Sequence, residues 1–198
     1  MANYGPLVPD GDQTIVGTPT GTGAPWNTRV DDDPAAGQPD ADWIANNSGA
    51  TGGTTSIFYD FASMPEDFGD IDTMTVDAYT AGDGSRTDDD VILKAAIYKS
   101  DESTILTDLI TLANWDAGGF DGGLKTGLSF TINETGLAAS EADWNAARLY
   151  CEWTDNHTKG NDSLYIRIHA IELNGTYTAA AAVTVPVFWH HLNKNIGR

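Results

Sequence analysis

The chain has 198 residues, with 29 acidic and 10 basic side chains and a formal net charge of −19. So acidic a body repels phosphate, which argues against nucleic-acid binding, and the apolar run at 179–189 contains Thr184 and Pro186 and is too short to span a bilayer. The single cysteine, Cys151, rules out an internal disulfide, and the length suits one domain, or one domain with an extended arm.

Charge is uneven along the chain. Residues 1–93 carry 17 acids and 2 bases, residues 94–198 carry 12 acids and 8 bases, and no acid follows Glu172. The start, Met-Ala-Asn-Tyr-Gly-Pro, lacks the basic and apolar regions of a signal peptide.

Residues 1–53 hold Pro6, Pro9, Pro19, Pro25, Pro34 and Pro39 among many glycines and threonines. Proline removes a ladder donor and glycine is costly to order, so this region predicts an extended arm without long strands. Ile15-Val16 is its one candidate for a short edge strand, and Trp26 and Trp43 are expected to pin it onto the body.

From Thr54 the texture becomes that of strands, over residues 56–61, 71–79 and 91–98. In the second, Met74, Val76 and Ala78 fall on one face, as period-two alternation requires. Residues 104–112 fit neither the helical nor the strand period cleanly, and their β-branched content favours strand. Residues 116–123 read as a loop and 128–132 as another strand. Ser140, with Asp143 three residues on, predicts the N-terminus of a short helix over 140–147, in the manner of a capping box.

The clearest signal follows. Leu149, Cys151 and Trp153 share one face of a strand over 144–153, and Leu164, Ile166, Ile168 and Ala170 share one face of a strand over 163–173. With the Asn/Asp/Gly loop at 155–162 between them they read as a hairpin, across which Tyr150 and Tyr165 would meet. Residues 176–187 give one more strand, which Pro186 confines to an edge or an end. About eight strands with almost no helix predict an all-β, antiparallel β-sandwich of jelly-roll-like type over residues 54–187. The arm at 1–53 precedes it and a basic tail at 188–198 follows.

Signals for chemistry are sparse. His190-His191 is tandem, so on a strand the two rings point to opposite sides, and there is no HExxH, paired Cys-x-x-Cys or Gly-x-Ser-x-Gly. Asp31–Asp33 and Asp88–Asp90 are the densest acid clusters; they match no calcium loop and read as solvated surface acids rather than a structural Ca2+ site. No carboxylate pair stands out as a glycosidase pair. The six tryptophans, with Tyr79, Tyr98, Tyr150, Tyr165 and Tyr177, read first as packing and second as a surface for sugars or partners. Five Asn-x-Ser/Thr matches, at Asn46, Asn133, Asn156, Asn161 and Asn174, read as turn chemistry. The end, with Phe188, Trp189, Lys194 and Arg198, joins apolar anchors to base in the acid-free segment, which suits docking on an acidic neighbour.

These pieces, Asp42-Trp-Ile44, 71–76, 143–149 and 165–173, resemble a loose group of tailed-bacteriophage virion proteins of capsid decoration or cement type. The resemblance covers about residues 41–175 and describes a fold and a texture. It implies a non-enzymatic structural subunit of the virion, assembled in the host cytoplasm, with no catalytic residue, no metal and no cofactor. Its implied partners are the major capsid protein and further copies of itself, as a homotrimer, without nucleic acid or membrane. The expected contacts lie in arm and tail: Tyr4, Leu7, Val8, Trp26, Phe188, Trp189, Lys194 and Arg198. The alternative is a glycan-binding module or a tail or fibre component.

Overall fold

Alternating apolar positions close two antiparallel sheets face to face. The computed structural model describes residues 1–21, 30, 33–36, 42–46, 53–61, 64–65, 68–83, 90–116, 118–156 and 165–180. In chain order the strands are β1 (Ala2–Leu7), β2 (Pro9–Val16), β3 (Thr20–Gly21), β4 (Ile44–Ala45), β5 (Gly53–Phe61), β6 (Phe68–Asp83), β7 (Val91–Tyr98), β8 (Ile110–Asp116), β9 (Gly119–Asp121), β10 (Gly123–Ser129), β11 (Arg148–Asp155) and β12 (Tyr165–Ala179). Two short helices, α1 (Glu134–Leu137) and α2 (Glu141–Asn145), sit between β10 and β11.

One sheet runs β10-β6-β12-β4-β3, with β1 also on β12; the other runs β2-β5-β11-β7-β8-β9. Between them Ile57, Tyr59, Leu93, Ile97, Leu149 and Trp153 of the second sheet meet Met74, Val76, Ile166 and Ile168 of the first in one buried cluster. Each such side chain contributes about 1.5–3 kcal/mol when removed from water. The antiparallel β-sandwich expected from periodicity is therefore the fold.

The hairpin needs correction. β11 pairs with β5 and β7, whereas β12 pairs with β6, β4 and β1. The two strands lie in opposite sheets, and their apolar faces meet through the core instead of side by side. Tyr150 accordingly packs on Phe58 and Tyr98 of its own sheet, at 4.7 Å and 5.1 Å between ring centroids.

The expectation of no long strand before residue 53 also needs correction. β1 has six residues and β2 has eight. Both are edge strands, where a proline's missing N–H faces away from the ladder, so Pro6 and Pro9 are tolerated. The early segments tile the free edge of β12 piece by piece: β1 covers Leu173–Tyr177, the Val30 carbonyl accepts from Ile171 N at 3.0 Å, and β4 covers Arg167–Ile168. Trp43 fastens its segment by lying under the Arg167 guanidinium, 4.4 Å from the ring centroid; Trp26 lies outside the described residues.

Smaller differences follow the same logic. The loop expected at 116–123 contains β9, which pairs with β8. Residues 104–112 make only single bridges at Ile105 and Thr107 before β8 begins. Thr176–Ala179 extend β12 instead of starting a new strand, and 181–187 lie outside the described residues.

Candidate functional site

At one end of the sandwich a capped helix sets up a cleft. The Ser140 hydroxyl accepts from Asp143 N at 3.2 Å while the Asp143 carboxylate accepts from Ser140 N at 2.9 Å, the predicted capping box. These bonds, with Lys99 3.1 Å away, hold the Asp143 carboxyl below its usual range. Fixing the first turn of α2 buries Trp144 and leaves Asn145 exposed. The chain then enters β11 at Arg148, whose register neighbours are Asp60 on β5 and Tyr98 on β7.

Arg148 is the hub. Its Nε donates to Asp60 Oδ1 at 2.9 Å, and its Nη1 donates to Glu102 Oε1 at 2.7 Å and to the Ser100 carbonyl at 2.8 Å. The side chain is 19% exposed, so these charge-assisted bonds run through a partly desolvated environment and outweigh a surface pair. Glu102 also accepts from Thr14 N of β2 at 3.4 Å, which ties strand, loop and hub together.

Glu102 has φ +55°, the one non-glycine residue in the left-handed region among the described residues. Asp101 holds that turn: Oδ1 accepts from Ser103 N and Thr104 N at 2.9 Å and 2.8 Å, and Oδ2 from Thr104 Oγ1 at 2.7 Å. The donated bonds, led by that from Ser103 N, pull the Asp101 carboxyl down to about 2.

The open cleft beside this hub has a volume of about 310 Å³ and is lined by Asp10, Asp60, Phe61, Ser100, Asn145 and Arg148, among others. A narrow inner cavity of about 20 Å³ shares Phe61, Asn145, Ala147 and Arg148 with it and reaches Trp144. Trp144 is 2% exposed, and its Nε1 has no hydrogen-bond partner among the described residues.

A second cluster, Phe58, Tyr98 and Tyr150, lies on the outer face of β5-β11-β7 with edge-to-face and tilted rings. Burial, then the nearby Glu152, raises both tyrosine pKa values, and Tyr150 Oη donates to Glu152 Oε2 at 2.6 Å. These rings pack on one another, the bland reading of the aromatics. Trp115 is buried too, against Phe120 at 5.6 Å.

Of the residues expected to meet partners, Tyr4 and Leu7 are in the core at 4% and 9% exposure, and Val8 beside them is half-buried. Trp26, Phe188, Trp189, Lys194 and Arg198 lie outside the described residues, so no two of the group are seen to converge on a surface.

His169 is buried and edge-on to Tyr79; His157, His190 and His191 are outside the described residues. Cys151 is buried, and burial pushes its thiol pKa up. Asn46 is buried with Oδ1 accepting from Ile166 N at 3.0 Å, and Asn133 caps α1. Among the described residues no group of three His, Cys, Asp or Glu could hold a metal ion, and Asp31, Asp32, Asp88 and Asp89 lie outside them.

No protein-family model, curated protein or solved structure matches the chain. Asp10, Asp60, Ser100, Asn145 and Arg148 come from four distant stretches of sequence; the local signals at this end of the molecule are the Ser140–Asp143 capping box, which the sequence reading found, and the Asp101-x-Ser-Thr turn, which it missed. Chemically the cleft offers donors, acceptors and one aromatic ring, an arrangement suited to binding.

Proposed function

We propose that the chain is a non-enzymatic structural subunit of a virion, of capsid decoration or cement type, which binds the major capsid protein and further copies of itself as a trimer. The observation that carries this reading is the root of the C-terminal segment. β12 has pairing partners on both flanks, ends at Ala179, and is followed by residues without a single acid, among them Phe188, Trp189, Lys194 and Arg198. An acidic body with an apolar, basic segment attached is suited to adhesion: apolar side chains supply area and the bases select acidic neighbours. At about 25 cal/mol per Å² of apolar surface, a few anchors repeated over many copies stabilise a lattice.

The test is co-sedimentation with phage capsids stripped of this subunit. The whole chain pellets with capsids, and deletion of residues 186–198 abolishes pelleting while the far-UV circular dichroism spectrum is unchanged. Wild-type pelleting by that truncation removes the reading. Deleting residues 1–30 is not an equivalent test, because it strips β1, β2 and β3 from both sheets.

A further inference from the structure

We infer that the cleft beside Arg148 is a binding site for one neutral sugar unit of the hexose type. This does not depend on the virion reading, since it concerns different residues. Four of the polar groups lining the cleft are uncommitted: the Asp10 carboxylate, the Ser100 hydroxyl, the Asn145 amide and Arg148 Nη2 make no hydrogen bond or ion pair among the described residues. Phe61, half-buried, lies among them and presents apolar surface. Ordinary surface polar groups diverge into water; here donors, acceptors and an aromatic ring line one concavity of about 310 Å³, the arrangement of a small-molecule site.

The mixture selects the ligand. An anion would face Asp10 and Asp60, and like charges at short range are repelled. A cation would be met by the Arg148 guanidinium, whose remaining N–H groups need an acceptor. A hexose satisfies both demands: each hydroxyl donates to a carboxylate and accepts from Nη2 or the Asn145 amide, while its C–H face covers Phe61. The inner cavity of about 20 Å³ has room for one water. Trp144 lines that cavity, and a water there would link its buried Nε1 to a sugar hydroxyl, so the ligand completes a bond that the described residues leave open.

The test is a two-dimensional amide NMR titration of the whole chain with the methyl glycosides of glucose, galactose, mannose and N-acetylglucosamine, with saturation transfer to the sugar protons. At least one glycoside is expected to bind with Kd of about 1 mM, as suits a small ligand in an open cleft, and to shift the amides of Phe61, Ser100, Asn145 and Ala147. Asp10→Asn and Asn145→Ala alter exposed side chains without internal bonds, and each is expected to raise Kd by about tenfold, the loss of one charged or neutral contact. The inference is overturned if none of the four sugars shifts those amides, or if both folded variants bind as the unaltered chain does. It is also overturned if inorganic phosphate or methylammonium shifts the same amides at lower concentration than any sugar.

Discussion

Trp153 on β11 donates its indole N–H to the Ile166 carbonyl on β12 at 2.8 Å, and so joins the two sheets by a hydrogen bond through the core. Both residues are fully buried. In that setting an unmatched carbonyl keeps its desolvation cost, so Trp153→Phe is expected to lower the unfolding free energy by about 1–3 kcal/mol for the polar loss, with a further packing loss from the smaller ring. Urea unfolding checks this: the midpoint falls with the slope unchanged. A midpoint equal to that of the unaltered chain would show that the bond contributes nothing net.

The same pair shows how far the sequence could be read. Leu149, Cys151 and Trp153 alternate, and so do Ile166 and Ile168, and all five are buried. Alternation reports which face of a strand is dry. It says nothing about whether the neighbour lies beside the strand or across the core, which is why the hairpin reading failed while the sandwich stood. Ser140 and Asp143 were legible because a capping box is local. β1 and β2 were not, since Pro6, Pro9, Gly5 and Gly11 argue against strands except at an edge, and edge position is a property of the assembled sheet. The cleft was illegible for a related reason: Asp10, Asp60, Ser100 and Arg148 are brought together only by strand order.

The N-terminal strands are therefore expected to act as structural parts of the sandwich. Leu7, on β1, lies in the main cluster and lines the inner cavity with Met74 and Leu173. Leu7→Ala is expected to cost about 2–4 kcal/mol, the lost transfer energy plus the enlarged cavity. Val8→Ala, at a half-buried neighbour, should cost less than half as much. Equal and small effects at both positions, measured by thermal and urea unfolding, would return β1 to the status of a loose arm.

Acid sensitivity has a specific source. The Asp101 carboxyl falls from an ordinary 3.8 to about 2 in the folded chain. The unfolded chain thus binds the proton more readily, and this group adds stability that is fully present above about pH 4 and disappears as pH falls toward 2. Glu172 has the opposite sign: burial, then Asp77 and Asp33, raise its pKa, so its carboxylate form costs stability and protonation relieves that cost. Asp101→Asn keeps the acceptor oxygen but cannot titrate, and it is expected to flatten the stability profile between about pH 2 and 4. An unchanged slope there, with the Asp101 carbon resonance titrating near 3.8, would contradict the bond set around Glu102.

Gly82 tests how the sheets meet at the far end of β6. It pairs with Ile166 in one sheet, while the ring of Trp115, from β8 of the other, lies close against it with Phe120 alongside. A Cβ at Gly82 would overlap the Trp115 ring and the edge of Phe120. The indole is 8% exposed, so it has little space to retreat without opening the corner. Gly82→Ala is expected to destabilise by about 1–3 kcal/mol through overpacking. Trp115→Leu removes the obstructing ring and costs stability by itself, but in that background Gly82→Ala should cost much less, because the two substitutions act on one contact. The coupling read from the double-mutant cycle is then about 1–2 kcal/mol and favourable. Additive costs would mean that the alanine is resisted by Phe120 or by backbone conformation and not by the indole.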